Sequence, residues 1–596
     1  MTKATLRKTA LTVIVVLCGV CQAKVIPVGK GSYTDDLAGF DPEDHGTTFT
    51  VQVTDDAPYP YPTSDWWTSL LADNASDERL ADLMADNASN PYSRNLFAFP
   101  LAFRCDEQGL LVDRPDLLIT SDAIYSPLEP DIRIGVNDVK HDRALAAGWS
   151  DFTVDIRFPD TQAGWTATIG HGLPFAYATF TGGTPEVTFL SDHKVVTKTS
   201  DGMLVGIGDV FYGIYLAGGQ AKVLEDKISL EGCTFLAVAA LPGEGWFERF
   251  KSAAFQRVTD SRIDYSYNVK AGEVTTTYRV ETRPMKGDPA PTYLALFPHH
   301  YKKQNMKLTD GGYDSLRGRL KILHGNEFTT VLPFHGMVPF FPEPTSKSYD
   351  PAHLKSLLDK VIEQEKLFSY DAKFEGLAKS PSKFFFYEET YFRGKQIAHI
   401  ARLIPIADRV GHDKAKKRLI SELRKELVDW FTATPGEKDH YFYYDRKCGG
   451  LVGMNSSFYT YNYVDHHFHY SHFVYASAIL SMYDADFKKD YGQMVELLIH
   501  DYNTPDRDHP MFPHMRMMDP YEGHCWANGF GGWGGRGVKL DAAGNDQESS
   551  SEAMHAWQAI FLWGMLTGND RLRDHGAWGY VTEASAINQY YFDVDD

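Results

Sequence analysis

The chain has 596 residues, enough for two or more domains with cores of their own, and its formal net charge is −20 at neutral pH. This acidity argues against nucleic acid or an anionic membrane surface as a partner. Together with an aromatic share of 13 %, it fits a dispersed protein with a neutral substrate, which we expect to be a monomer.

The first 23 residues are typical of a secretory signal peptide. Lys3, Arg7 and Lys8 form a basic start. The apolar stretch 11–20 is too short to span a bilayer, and residues 21–23 resemble an imperfect cleavage site. We therefore expect a secreted protein, extracellular or periplasmic after removal of residues 1–23.

Four cysteines remain after that cleavage: Cys105, Cys233, Cys448 and Cys525. Four thiols in a chain of this length do not make a disulfide scaffold, so buried or free thiols are expected. A bridge between Cys448 and Cys525 is left open, because both lie beside the motifs described below.

Short runs of alternating polarity, separated by turn residues, extend from about residue 93 to residue 296. Clear examples are Phe152–Phe158, Trp165–Gly170, Phe175–Phe180 and Val274–Thr282. Short β-rich runs at this spacing predict a large β-sandwich, to which we assign residues 24–290. The Pro-rich, apolar stretch 291–375 contains a helical pattern at 351–367, and we interpret it as a domain that connects two larger ones.

From residue 376 to residue 596 the chain is predicted to be helical. Apolar residues recur at three- and four-residue spacing, with helices expected at 397–431, 465–483, 490–500, 548–566 and 570–590. Paired helices joined by long loops favour an α/α toroid over a four-helix bundle.

The stretch 455–480 combines one aspartate, four histidines and several aromatic residues ahead of apolar sequence. If Asp465 opens a helix, Asp465 and His469 lie one turn apart on the same face. The apolar residues that follow would bury the helix and leave both side chains in a pocket. The histidines invite a metal site, but no HExxH and no Cys/His spacing supports one, so we expect catalysis without a metal.

A second acidic motif lies at residues 544–566. Glu548 and Glu552 are four apart, which predicts one helix face, and the helix dipole favours acids at that end. The alternative is a solvated acidic first turn capped by Asn545 or Asp546, a common arrangement. A long loop at 506–529 is rich in Asp, Arg, His and aromatic residues, and loops of that length inside a domain are usually functional.

Glycoside hydrolysis would unite these motifs, since it needs a carboxylic acid for the leaving oxygen and a second carboxylate on the other side of the sugar. Asp465 and one of Glu548 and Glu552 would supply that pair. We expect substrate contacts from the surrounding His, Tyr, Trp and charged side chains, namely His467, Tyr461, Tyr463, Arg507, Asp508, His524 and Trp526.

At these residues the chain resembles glycoside hydrolase family 81, the endo-β-1,3-glucanases. The resemblance rests on YVDHHFHYSHFVYASAIL (463–480), RDHPMFPHMRMMDPYEGHCWANG (507–529) and NDQESSSEAMHAWQAIFLWG (545–564). Upstream it includes YPTSDWWTSLL (61–71), LPFHGMVPFFP (332–342) and YFRGKQIAHIARLIPIAD (391–408). These segments cover most of the mature chain in the expected order.

The resemblance implies an N-terminal β-sandwich (24–290), a small connecting α/β domain (291–375) and a C-terminal (α/α)6 toroid (376–596). It implies hydrolysis of internal β-1,3-glucosidic bonds with inversion, on glucans of the laminarin, curdlan or callose type, without a cofactor or metal. Carried over to matching positions, Asp465 is the general acid and Glu552 the general base, with His469 and Glu548 in support.

The sequence departs from the family at several positions. Val464, Ser471, Cys448 and Cys525 stand where Asn, Gly, an aromatic residue and Ser are expected. The chain also ends at YYFDVDD, where family members continue with more helices, so we expect an incomplete toroid. A glucan-binding protein that has lost catalysis is the alternative function, and a metal-dependent hydrolase using the histidines is a third. The choice of base between Glu548 and Glu552 stays open.

Overall fold

Two large antiparallel sheets occupy the first half of the chain in the computed structural model, which describes residues 24–40, 46–73, 91–121, 124–364, 367–368, 389–529, 544–592 and 594. The expected signal peptide at 1–23 lies outside the described residues. The smaller sheet runs, in spatial order, through Gln220–Val223, Lys227–Glu231, Pro185–Phe189, Ile132–Val136, Gly109–Asp113, Ala102–Asp106 and Leu96–Phe97. The larger runs through Leu145–Trp149, Thr153–Phe158, Trp165–Gly170, Phe175–Phe180, Phe235–Leu241, Val210–Ala217, Gly202–Ile207 and His193–Lys198.

Burial along the larger sheet follows from the composition of its strands. Every residue of Phe235–Leu241 is buried, as expected for a central, wholly apolar strand covered on both faces. The edge strand His193–Lys198 is more exposed and carries two lysines, charges that discourage pairing at a free edge. The strands predicted at Trp165–Gly170 and Phe175–Phe180 are confirmed with the same bounds.

Two three-stranded sheets connect this half to the helices. One contains Gln256–Asn268, Glu273–Pro284 and Glu327–Pro333, and the other contains Tyr293–Leu296, Leu320–His324 and Gly312–Tyr313. Since Glu327–Pro333 pairs with Glu273–Pro284, the first of these sheets crosses the boundary expected at residue 290.

A four-stranded sheet brings the start of the described chain into the helical half. Its strands, in spatial order, are Val25–Val28, Gly31–Thr34, Tyr441–Asp445 and Gly450–Met454. Three two-stranded ribbons complete the β-structure: Thr50–Val51 with Ala72–Asp73, Leu118–Ile119 with Ile124–Tyr125, and Met518–Asp519 with His524–Cys525.

The described residues contain nine α-helices. They are α1 (Phe247–Ala254), α2 (Pro298–Tyr301), α3 (Pro351–Ile362), α4 (Thr390–Arg409), α5 (Asp413–Trp430), α6 (His466–Ser481), α7 (Ala485–Asn503), α8 (Ser550–Thr567) and α9 (Asp570–Tyr590). The single helical pattern expected at 397–431 is two helices, because Gly411 adopts a left-handed conformation between α4 and α5.

Helix α6 is the centre of the helical half. It is buried along nearly its whole length and packs against α4, α5, α7 and α8. Its second half, from Phe473 to Leu480, has no polar face, as expected for a helix inside its domain, and its first half buries four histidines. The N-terminal ends of α4, α6 and α8 carry the residues described next.

All four cysteines of the described region are buried and unpaired, so the bridge left open between Cys448 and Cys525 is absent. Among the described residues, no helix is long and apolar enough to cross a membrane.

Candidate active site

The segment that leads into α6 has an unusual backbone. Phe458, Tyr459, Tyr463 and Asp465 all have positive φ, between 52° and 66°. Left-handed conformations are uncommon outside glycine and often occur at functional sites, where the surrounding structure holds them in place. This backbone places Asp465 directly before the first residue of α6.

Asp465 is held by its main chain, while its carboxyl group is left without a partner. Its N–H donates to the carbonyl of Ala527 (3.0 Å) and its carbonyl accepts from the N–H of His469 (3.0 Å), one helical turn later. The side chain is buried, and Oδ1 has no hydrogen-bond partner among the described residues. Burial, reinforced by Glu548, Asp546 and Glu552, raises the pKa of Asp465 well above its usual value. Asp465 is therefore stabilised as a protonated acid.

Glu548 does not share a helix face with Glu552, contrary to the prediction. Its φ is +56°, and α8 begins only at Ser550. The N–H of Glu548 instead donates to Oδ1 of Asp546 (3.1 Å). Much of Glu548 is exposed to solvent, yet its carboxyl group is partly desolvated, and this desolvation, with Asp546 and Glu552, raises its pKa.

Glu552, in the first turn of α8, contacts two side chains of α4. The hydroxyl of Tyr391 donates to Oε1 of Glu552 (2.9 Å), and Nζ of Lys395 lies 3.5 Å from the same oxygen. Lys395 also donates to the Tyr391 hydroxyl and lies 4.0 Å from the centre of its ring. These contacts place one hydroxyl donor and one cation on Oε1 of Glu552 and leave Oε2 free of both.

His469 lies beside the same group. Its Nδ1 is 2.7 Å from the hydroxyl of Thr390, and its ring centre lies 5.1 Å from that of Tyr391. Burial, with smaller contributions from His466, His467 and Lys395, lowers its pKa well below the usual value. His469 is therefore neutral and suited to positioning Tyr391 or a ligand rather than to transferring protons.

Other residues expected to contact substrate are buried inside the helical half. His467, Tyr461 and Tyr463 have at most 5 % of their surface exposed. The Arg516 guanidinium lies 4.6 Å from the centre of the Tyr463 ring. Burial lowers the pKa of His467 to about 3, so this histidine is uncharged in the core of the protein. The structure does not bring these three side chains to an open surface.

The loop at 506–529 divides between two places. Arg507 pairs with both oxygens of Asp151 in the β-rich half, and both Arg507 and Asp508 line a polar cavity of about 660 Å³. His524 is buried and contacts Glu522 (3.1 Å) and Arg317 (3.0 Å). Trp526 donates from Nε1 to Asp519 (3.1 Å) and lines a second cavity. Of these four residues, Trp526 is the one that lies next to the backbone holding Asp465.

Three residues of this site were not predicted from the sequence: Tyr391, Lys395 and Asp546. Tyr391 and Lys395 are one turn apart in α4, a spacing that was visible but had no recognisable partner in sequence. Asp546 was considered as a helix cap, whereas its carboxyl group accepts the N–H of Glu548 and raises the pKa of Asp465.

Among the described residues, no group of three or more His, Cys, Asp and Glu side chains is arranged to hold a metal ion. The carboxyl groups have different surroundings instead. Asp465 is buried without a cation, while Glu552 is paired with Lys395 and hydrogen-bonded by Tyr391. Such a site presents a proton donor and a proton acceptor together, which is the requirement of general acid–base catalysis.

Comparison with known proteins identifies similar chains. Residues 362–596 match the family model described as "Glycosyl hydrolase family 81 C-terminal domain". The "Glucan endo-1,3-beta-D-glucosidase" of Thermobifida fusca is 33 % identical over 606 residues, covering 98 % of this chain and 75 % of the relative. The protein of the same description from Acetivibrio thermocellus is 34 % identical over 547 residues, covering 89 % and 65 %.

A solved structure shows the same similarity in three dimensions. It is described as glycoside hydrolase family 81 from Clostridium thermocellum, and it matches with a TM-score of 0.84 at 32 % identity. The match covers 96 % of this chain and 75 % of that one.

Proposed function

The chain belongs to glycoside hydrolase family 81 and is a glucan endo-1,3-β-D-glucosidase, and from this premise we propose that it hydrolyses β-1,3-glucan with inversion, using Asp465 as general acid and Glu552 as general base. The observation that carries the assignment is the contrast between the two carboxyl groups. Asp465 is buried with no partner for Oδ1, and Glu552 is paired with a lysine.

In this mechanism each residue has one task. Asp465 donates its proton to the glycosidic oxygen, and the bond to the anomeric carbon breaks. Glu552 takes a proton from a water molecule that attacks the opposite face of the sugar. Tyr391 and Lys395 hold Oε1 of Glu552, so that Oε2 accepts the proton from water. Inversion requires about 6.5–9.5 Å between the two carboxyl groups to accommodate that water.

The supporting residues are assigned by the same contacts. Burial raises the pKa of Asp465, the neighbouring Glu548 and Asp546 add to that rise, and His469 orients the Tyr391 ring. Glu548 is less suited to be the base, because no cation contacts its carboxyl group among the described residues, whereas Lys395 lies beside Glu552.

We also propose how the sheets and helices divide into domains. We assign the two large sheets to the two layers of a β-sandwich and the helix pairs α4/α5, α6/α7 and α8/α9 to an (α/α)6 toroid. The antiparallel pairing of both sheets and the sequential packing of the helices support this assignment.

Proton NMR of early products tests the proposed function. Laminarin incubated with the protein should release reducing oligosaccharides whose first anomer is α, since inversion converts the β-linkage. A first product in the β form would contradict inversion, and no reducing ends at all would contradict hydrolysis and favour a glucan-binding protein.

Tyr391→Phe should lower kcat roughly 10–100-fold with little change in KM, because Glu552 loses the donor that orients it while the ring stays against His469. Reducing-sugar kinetics on laminarin measures both constants. The matched control is Tyr301→Phe, which removes a hydroxyl bonded to the carbonyl of Arg319 (2.8 Å) in the connecting region and should behave as wild type. Equal decreases of kcat in the two variants would show that Tyr391 has no specific role in the mechanism.

We also propose that residues 1–23 direct export and are then removed, on the basis of their basic start and short apolar stretch. Mass spectrometry of protein recovered from the periplasm or the medium should give a mature chain that begins near residue 24. Protein retained in the cytoplasm with Met1 intact would contradict export.

A further inference from the structure

A small cavity lies next to the carboxyl cluster, between the β-rich half and the helical half. Its volume is about 240 Å³, and its aromatic walls are Trp66, Phe97, Phe99, Tyr125 and Trp526. This is below the roughly 300–1,000 Å³ of a drug-sized ligand site, so it has room for one ring rather than for an oligosaccharide.

The cavity is connected to the catalytic acid by the main chain. Trp526 in its wall precedes Ala527, whose carbonyl accepts the N–H of Asp465 (3.0 Å). The N–H of Ala527 donates to the carbonyl of Asp546 (2.7 Å), which also lines the cavity. Glu548 follows two residues later, at most about 7 Å along the chain. A ligand in the cavity would therefore lie within a few sugar units of the bond that is cleaved.

One buried pair, Asp519 and His171, contacts two tryptophans of the wall. Asp519 accepts from Nε1 of Trp526 (3.1 Å) and lies 2.8 Å from Nε2 of His171. The His171 ring in turn packs against Trp66, with 4.6 Å between ring centres. Aromatic side chains that are already packed in place lose less conformational entropy when the apolar face of a sugar ring stacks on them.

The polar groups in the wall fit a neutral, hydroxyl-bearing ligand. Arg317 and Glu522 form an ion pair, so the arginine offers no unmatched positive charge to an anion. Asn545 and Asp546 add further polar groups, and Asp546 would repel a carboxylate or phosphate. Charged and amide side chains beside aromatic rings suit the hydroxyls and the apolar face of a sugar.

We propose that this cavity binds one glucosyl unit of the substrate, outside the site of cleavage. The proposal rests on the proposed function for the identity of the polymer. The unit comes either from the main β-1,3-linked chain or from a β-1,6-linked branch, and both sources present the same ring and hydroxyls.

Filling the cavity tests the proposal. Leu316 lies at its edge with 38 % of its surface exposed, so Leu316→Trp narrows the cavity without removing a buried group. Leu190, 41 % exposed, is not part of the cavity wall, and Leu190→Trp is the matched control. Both are made in an Asp465→Asn background so that the ligand is not cleaved, and calorimetry measures Kd for a linear laminari-oligosaccharide and for one with a β-1,6-linked glucosyl branch.

Leu316→Trp should raise Kd about tenfold, the loss expected when one aromatic-lined subsite is blocked, and Leu190→Trp should leave Kd unchanged. If Leu316→Trp weakens binding of both ligands, the cavity binds a unit of the main chain. If it weakens binding of the branched ligand alone, the cavity binds the branch. Phe97→Ala, which removes a wall instead of filling the space, should raise Kd for the same ligand. Unchanged Kd for both ligands overturns the proposal, as does absence of binding in the Asp465→Asn parent.

Hydrolysis by the wild-type protein is scored separately from binding. If the wild type releases no reducing ends while the Asp465→Asn parent binds glucan, the proposed function fails and the cavity is still tested by Kd. If the wild type hydrolyses laminarin and Leu316→Trp binds like its parent, only the cavity proposal fails.

Discussion

Asp465→Asn is expected to lower kcat on laminarin by about 10²–10⁴-fold, because it removes the proton that the leaving oxygen needs. The fold should be retained, since asparagine is among the residues that best tolerate the left-handed backbone found at this position (φ +60°). Reducing-sugar release at several substrate concentrations measures the loss. Activity within tenfold of wild type would assign the general acid to another group.

The same variant should be at least as stable as wild type at neutral pH. The pKa of Asp465 is raised in the folded protein above its usual value of 3.8. As pH rises past 3.8, the Asp465 carboxyl group therefore ionises in the unfolded chain before it does so in the folded protein. Wild-type stability therefore falls between that pH and the folded-state pKa, and asparagine does not titrate. Urea unfolding near pH 4 and near pH 7 should show that Asp465→Asn increases the free energy of unfolding relative to wild type by a larger amount at the higher pH. A larger gain at the lower pH would contradict the protonated acid.

Glu552→Gln is expected to lower kcat by a similar factor of about 10²–10⁴, because the amide cannot accept a proton from water. The ion pair with Lys395 is partly exposed, so its loss should affect stability little. Steady-state kinetics with thermal unfolding as a folding check separates the two effects. Wild-type rates in Glu552→Gln would show that another residue activates the water.

Glu548→Gln is the matched control for that prediction. Glu548 contributes to the raised pKa of Asp465 through its charge, so Glu548→Gln should lower that pKa. Asp465 then loses its proton at a lower pH, and the decline of activity on the alkaline side of the pH profile should shift to lower pH. The loss of kcat at the optimum should be smaller, about tenfold or less. If Glu548→Gln lowers kcat more than Glu552→Gln does, Glu548 is the general base and Glu552 the supporting residue.

Much of the fold follows from local patterns in the sequence. The alternating strands Trp165–Gly170 and Phe175–Phe180, and the helices from α4 to α9, were predictable because polarity with a period of two or 3.6 residues reflects burial of one face. The split at Gly411 was missed because a single left-handed residue barely disturbs that period.

The resemblance on residues 463–480 and 545–564 identified the family and implied roles for Asp465 and Glu552. It did not predict the turn at Glu548, where a positive φ in a non-glycine residue carries the chain out of the helical path. Propensities describe average residues, and a strained backbone at a functional site is an exception that they do not anticipate.

The sequence by itself predicted a β-rich half followed by a helical half, the family and the candidate acidic residues, since these depend on neighbours along the chain. Only the tertiary structure decided which side chains meet, such as Tyr391 with Glu552 and Arg507 with Asp151 of the β-rich half. The partners are 161 and 356 residues apart. Their contacts depend on how whole elements pack, and so do the burial that raises the pKa of Asp465 and the position of Lys395 beside Glu552.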